Sequence, residues 1–335
     1  MLSLSMYGMI SMTYTRLRRA QGCNSDFLRG YHFLLVARMV YGPMSKKEIT
    51  AIIRTITGRS IPEGGFSEHP GASYRADATA WAILALKAYD TKSDIQELAK
   101  SKLASMQFDD GRICLSQSHP EVIWPTALAI LALRGSAAYR KQSDLAIQFL
   151  LQSKGTFFKK NANPIFALDS SLIGWPWIED TFSWVEPTGL SIIALNAYGY
   201  SKHDRIHEAI RLLMDRQLPS GGWNIGSTII YGRETYPQLD CTGIVLSALA
   251  GQVERGQIER SLNYLNTHVV SCRTPLSLGW ALFGLGAWGE RPTEAKKWII
   301  ESLSRQRKYG TYGTKLLSLL VLAYSSTGGF LEAIA

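Results

Sequence analysis

The sequence predicts an all-α fold with helices in two layers, from three observations. An apolar helical phrase returns six times along the 335 residues, a more polar amphipathic helix stands between successive copies, and Gly-containing turns join them. In register, the phrases run Thr79 to Tyr89, Thr126 to Leu133, Thr188 to Tyr198, Thr242 to Leu249, Leu278 to Trp288 and Thr314 to Tyr324. They start 36 to 62 residues apart, which suits a helical hairpin repeated with loops of variable length.

Each phrase is apolar nearly all round and therefore reads as a helix buried on every side. The intervening helices are expected over 46–57, 94–106, 139–152, 204–216, 257–268 and 293–307. From Ile206 to Met214, apolar residues recur at spacings of three and four while charges fill the other face, the pattern of a helix with one side in water. Polar helices outside and small-residue helices inside make two concentric layers.

The polar helices run into turns such as Gln107 to Gly111, Gln152 to Gly155, Gln217 to Trp223 and Gln306 to Gly310. Their glycines can take the left-handed conformation that stops a helix, and the Gln is placed to bond backbone groups left unpaired there. A single domain over 45–335 is expected. Residues 1–44 precede it and hold a helix from Leu28 to Tyr41, read as an N-terminal cap or a first inner helix.

Bulk properties narrow the function. The net charge is +9, but its basic residues are scattered and no nucleic-acid recognition signature accompanies them, so no nucleic-acid partner is expected. Cys23, Cys114, Cys241 and Cys272 are widely spaced and form no CxxC pair, so neither a disulfide framework nor a zinc ribbon is indicated and a reducing compartment is expected. The arginines near Met12 follow the apolar stretch, the reverse of a secretory signal, and no apolar run approaches the ~20 residues needed to cross a bilayer. A cytoplasmic protein is expected, with peripheral contact at a membrane surface as its furthest membrane role.

The Gln-to-Gly turn, with an aromatic after the glycine in Gln217 to Trp223, is followed by a helix opening on Thr-Ala or Thr-Gly. This pattern resembles the prenyltransferase and squalene-cyclase repeat superfamily from about Ile61 to Tyr324. The resemblance implies an (α/α)6 toroid whose inner helices surround a central cavity, and an isoprenoid or other apolar small molecule as ligand. The fold hosts several activities, so the chemistry must come from the site.

Two residues before each helix-opening position stand Asp77, Trp124, Glu186, Asp240, Leu276 and Tyr312. In a toroid these converge at one end, where Asp77, Glu186 and Trp124 can line a cavity mouth. An acid at a helix N-terminus also serves free backbone N–H groups and the helix dipole. The Asp240-Cys241-Thr242-Gly243 run is similar to the Asp-Cys-Thr-Ala motif of oxidosqualene cyclases, which implies Asp240 as the acid that starts cyclisation and Cys241 as a weak donor to it. Protonating an alkene or epoxide calls for a strong acid in a dry pocket. Gly243 replaces the motif's Ala, the flanking Gln238 and Cys241 depart from the Asp-x-Asp-Asp of squalene-hopene cyclases, and one barrel stands where those enzymes use two. A protein partner completing the site is the corresponding expectation.

The loop from Gly174 to Thr188 carries Trp175, Trp177, Phe182 and Trp184, and with Trp223 and Tyr236 it supplies rings to wall an apolar cavity or stabilise a cation. The same rings can instead pack loops against helix ends. No metal or other cofactor is expected: Asp240 and Cys241 are adjacent rather than spaced as in zinc prenyltransferases, and Asp109-Asp110 lies in a Gly turn. A cyclase-like enzyme, a non-catalytic lipid- or protein-binding toroid, and a two-carboxylate carbohydrate enzyme using pairs among Asp77, Asp180, Glu186 and Asp240 are the readings carried forward.

Overall fold

The computed structural model describes residues 46–89, 94–158 and 168–335. The chain divides between Met44 and Ser45 into two units, and the description concerns the second; the helix expected from Leu28 to Tyr41 lies outside the described residues. The described part is mostly helical, with one two-residue hairpin pairing β1 (Ile229–Ile230) antiparallel with β2 (Arg233–Glu234).

The recurring phrases form α2 (Ala76–Ala88), α4 (Pro125–Leu133), α6 (Val185–Asn196), α8 (Leu239–Leu249), α10 (Pro275–Ala287) and α13 (Thr314–Ser325). Every residue of α4 is buried, as is α2 from Ala76 to Leu86. The polar helices are α1 (Lys46–Thr57), α3 (Asp94–Ser105), α5 (Arg140–Gln152), α7 (Asp204–Asp215), α9 (Arg255–Val269) and α11 (Ala295–Ser304), with short α12 (Gln306–Tyr309) and α14 (Phe330–Ala333) near the end. In α7 the apolar stripe Ile206, Ala209, Leu212 and Leu213 is buried while Asp204, His207 and Arg211 face water.

Packing follows the alternation. Helix α2 lies on α4, α4 on α6, α6 on α8, α8 on α10, α10 on α13, and α13 on α2, so the series of neighbours returns to its start. Among the polar helices, α1 packs on α13 and α2, α3 on α2 and α4, α9 on α8 and α10, and α11 on α10 and α13; α5 covers α4 and α7 covers α6.

The recurrent Thr has one structural task. The Oγ1 of Thr79, Thr126, Thr188 and Thr242 accepts the backbone N–H of Phe66, Ile113, Trp175 and Trp223 respectively, at 2.9 to 3.0 Å. Each turn is thereby pinned to the first turn of the helix that follows it. Gly65 and Gly222 take positive φ beside these hydroxyls, and a Cβ on either would lie about 3 Å from the Thr oxygen. At α13 the arrangement changes: Thr314 Oγ1 accepts from the buried Arg59 guanidinium at 3.2 Å, and the Thr314 N–H donates to the Glu68 carbonyl at 2.9 Å. Arg59 also donates to the carbonyls of Glu68 and Tyr312, tying the start of α13 to the loop before α2.

Aromatic side chains fill part of the interior. Trp81 of α2 meets Trp280 of α10 at 5.9 Å between ring centroids, and Phe330 of α14 packs on both, at 5.5 and 5.0 Å. Phe283 closes the cluster 5.2 Å from Phe330. Helices α8 and α10 approach closely because Gly243 and Gly284 face each other; a Cβ on Gly243 would lie 2.2 Å from the Trp280 carbonyl oxygen.

Candidate functional site

Helices α2, α6 and α8 begin three residues before their Thr, so Asp77, Glu186 and Asp240 each lie in a first turn, not in the preceding loop. Trp124 is the residue capping α4, ahead of Pro125. This places the column of candidates where helices start, and free N–H groups there favour an acid.

The three acids do not form one group. Asp77 is 2% exposed and receives two hydrogen bonds from the half-exposed Arg75, from Nε at 2.9 Å and from an Nη at 2.7 Å. Glu68 lies in the same region: burial raises its carboxyl, the Lys315 N–H opposes at 3.3 Å, and the Asp77 charge adds to the rise. Asp77 thus belongs to the seam between α13 and α2.

Glu186 and Asp240 belong together, on neighbouring helices α6 and α8. Burial pushes the Glu186 carboxyl above the usual carboxylate range; the Lys315 ammonium pulls it down and the Asp240 carboxylate pushes it further up. Beside them, the buried Cys241 thiol is driven well above its ordinary value by burial and by the charges of Asp240 and Glu186, so it stays protonated. Its Sγ donates to Gln238 Oε1 at 3.3 Å, not to the Asp240 carboxylate.

Lys315 is the residue that the sequence reading missed. It lies in the first turn of α13, and its ammonium sits 5.5 Å from the centre of the Trp124 ring. Trp124 in turn meets Trp177 edge to face at 5.4 Å. Trp124, Trp177, Glu186, Asp240 and Cys241 therefore gather with Lys315 from the starts of α4, α6, α8 and α13 and the loop before α6. One signal was available: Lys315 is the single charged residue directly after a phrase-opening residue, where the other phrases carry Ala or Gly.

The remaining aromatic candidates divide by burial. Trp175 and Trp223 are 2% and 0% exposed, and their indole N–H groups donate to the Leu150 and Leu213 carbonyls of α5 and α7, at 2.9 and 2.6 Å. They fill the joint between a polar helix and the next buried one, each indole N–H donating to a carbonyl in the last turn of the polar helix. The Arg205 guanidinium stacks on Trp175 at 3.9 Å and bonds the carbonyls of Ser153, Ile173 and Gly174. Both rings are closed off from solvent. Tyr236 is 89% exposed.

Phe182 and Trp184 line an apolar pocket of about 420 Å³ between the loops preceding α6 and α8. Phe158, Leu168 and Leu172 complete its apolar wall, and Gly226 and Arg216 border it. Phe158 and Phe182 meet at 5.3 Å, and Trp184 directly precedes α6, two residues before Glu186. Among the described residues, no group of three or more His, Cys, Asp or Glu side chains is arranged to hold a metal ion, and no helix is long and apolar enough to cross a membrane.

The cluster offers a carboxyl biased toward its protonated form, a second carboxyl, a fixed ammonium and an indole face. Such a set can move a proton between carboxyls or hold a polar group at the edge of an apolar surface. The Lys315 ammonium already covers the Trp124 face, so a second cation arriving there would meet like charge.

No family model and no curated protein matches the chain. Among solved structures, it is similar to a protein from Actinoplanes, with a TM-score of 0.55 and 13% identity over 79% of this chain and 83% of that one. At that identity the similarity concerns the fold alone.

Proposed function

We propose that the described unit is an (α/α)6 toroid of two concentric helix layers and that it handles an isoprenoid or similar apolar chain at the end where its buried helices start. The closed series of contacts from α2 round to α13 supports the toroid. The apolar pocket walled by Phe158, Leu172, Phe182 and Trp184, close in sequence to Glu186, carries the ligand reading. In this reading the chain lies against the pocket while its reactive end meets Glu186 and Asp240, which act as a proton-donating pair in the manner of protonation-initiated cyclases.

A second reading, a toroid that binds its ligand without turning it over, is favoured by the interior. Trp81, Trp280, Phe283 and Phe330 fill space that a cyclisation chamber would need, and Lys315 opposes a carbocation at Trp124.

Native mass spectrometry of the purified protein, followed by incubation with squalene and isoprenoid diphosphates, separates the two. A cyclised product that disappears in Asp240→Asn and Glu186→Gln supports the catalytic reading. A retained isoprenoid without product, displaced by Phe182→Asp, supports the binding reading. Neither product nor bound lipid would sink both.

A further inference from the structure

A second pocket, of about 760 Å³, lies where α2 and α4 end, at the far end of those helices from Asp77 and Trp124. Lys87 in the last turn of α2, Arg134 capping the end of α4 and Lys100 on α3 all line it, together with Gly135 and Ser136. Cations at helix C-termini are favourable to the helix dipole, which accounts for Lys87 and Arg134 one at a time. It does not account for three cations lining one hollow.

Although Asp94 and Glu97 also line the hollow, Lys100 alone of the three cations has a charged partner among the described residues. Lys100 pairs with Glu97 at 2.7 Å, and Lys87 Nζ donates to the neutral Ile334 carbonyl at 3.1 Å. The Arg134 guanidinium, half-buried, has no hydrogen-bond or ion-pair partner among the described residues. Burial lowers the Lys87 ammonium below its ordinary value, and the charges of Arg134 and Lys100 lower it further. An anion between these groups would relieve that repulsion, and a guanidinium flanked by ammonium groups suits tetrahedral oxyanions.

We propose that this pocket binds the phosphate group of a small phosphorylated organic molecule, held by Arg134 and Lys87 with Lys100 at its edge. The volume exceeds what a bare phosphate fills and lies within the range of small-molecule sites. Asp94 and Glu97, on the same helix as Lys100, also line the pocket and provide acceptors for ligand hydroxyls. The site is separate from the Glu186 and Asp240 cluster, and the proposal stands whether or not that cluster is catalytic.

The test is calorimetric titration of the full chain with inorganic phosphate at constant chloride, paired with sedimentation on phosphatidylcholine vesicles with and without phosphatidic acid. Saturable phosphate binding that weakens at least ten-fold in Arg134→Gln, with Lys202→Gln unchanged, is the expected result. Binding to phosphatidic-acid vesicles alone, with the same loss in Arg134→Gln, would assign the phosphate to a lipid headgroup. Should Lys87→Gln fold poorly, Arg134→Gln remains decisive, with phosphate raising Tm in the wild type and not in the variant. No saturable binding in either arm, or equal binding by Arg134→Gln, overturns the proposal.

Discussion

The Lys315 ammonium lies 5.5 Å from the centre of the Trp124 ring, so the start of α13 reaches the start of α4 although α2 packs between them. The same ammonium acts on Glu186 of α6, and one side chain thereby links three of the buried helices. Replacing it with Met keeps most of the stem packing and deletes the charge. Lys315→Met is expected to move the Glu186 carboxyl further up, seen by carboxyl NMR titration, and to cost about 0.5–1 kcal/mol from the lost cation–π contact. An unmoved Glu186 titration would mean the two groups are not coupled.

Glu186 itself sets a pH dependence. Burial and Asp240 raise its folded-state value above that of the unfolded chain, so the folded protein holds this proton more tightly. Stability from this group is therefore fully present at low pH and declines as pH rises from the ordinary carboxylate range through the folded value. Glu186→Gln is expected to raise Tm at pH 8 and to give no gain at pH 4; Glu68, raised in the same direction, leaves a weaker slope behind. Thermal scans at the two pH values decide, and an equal shift at both would contradict the assignment.

Thr188 holds the turn before α6. Thr188→Val removes the acceptor for the buried Trp175 N–H at 3.0 Å while preserving shape. Leaving that donor unpaired should cost about 1–3 kcal/mol, a drop in Tm of several degrees. Thr188→Ser, which retains the hydroxyl, should recover most of it. Equal stability of Val and wild type would remove the pinning role.

Gly243 permits the approach of α8 to α10. A Cβ there meets the Trp280 carbonyl at 2.2 Å, a backbone atom that cannot step aside. Gly243→Ala is expected to cost about 3 kcal/mol or more, near the upper range for single substitutions. Gly256, in α9 with open space where its Cβ would stand, is the matched comparison: Gly256→Ala should stabilise by about 0.4–1 kcal/mol. Chemical denaturation of the pair measures the contrast.

The helices were legible because their determinants are local. Thr188, Thr242 and the small residues after them recur in register, and every polar helix expected between Lys46 and Arg307 is present to within a few residues at its ends. The site was legible only in part. Glu186 and Asp240 come together because α6 packs on α8, and Asp77, in the same sequence column, is taken by Arg75, a local pairing that register does not reveal. Trp175 and Trp223 look like cavity walls in sequence, but their position directly after the turn glycine directs them into the joint with the preceding helix. Lys315 acts across the assembly on Trp124 and Glu186, and such a contact depends on how six helices arrange themselves.

The return of α13 onto α2 has a mechanical consequence. In an open stack of helical hairpins the outermost members have one neighbour, fray first, and lend the array a gradient of stability from middle to edge. Here each buried helix has a buried neighbour on both sides, and the seam is fastened by Arg59, Glu68 and Thr314. No helix of the series is an edge. Loosening the seam would create two edges at once, so a single break such as Arg59→Ala should raise hydrogen exchange first at α13 and α2.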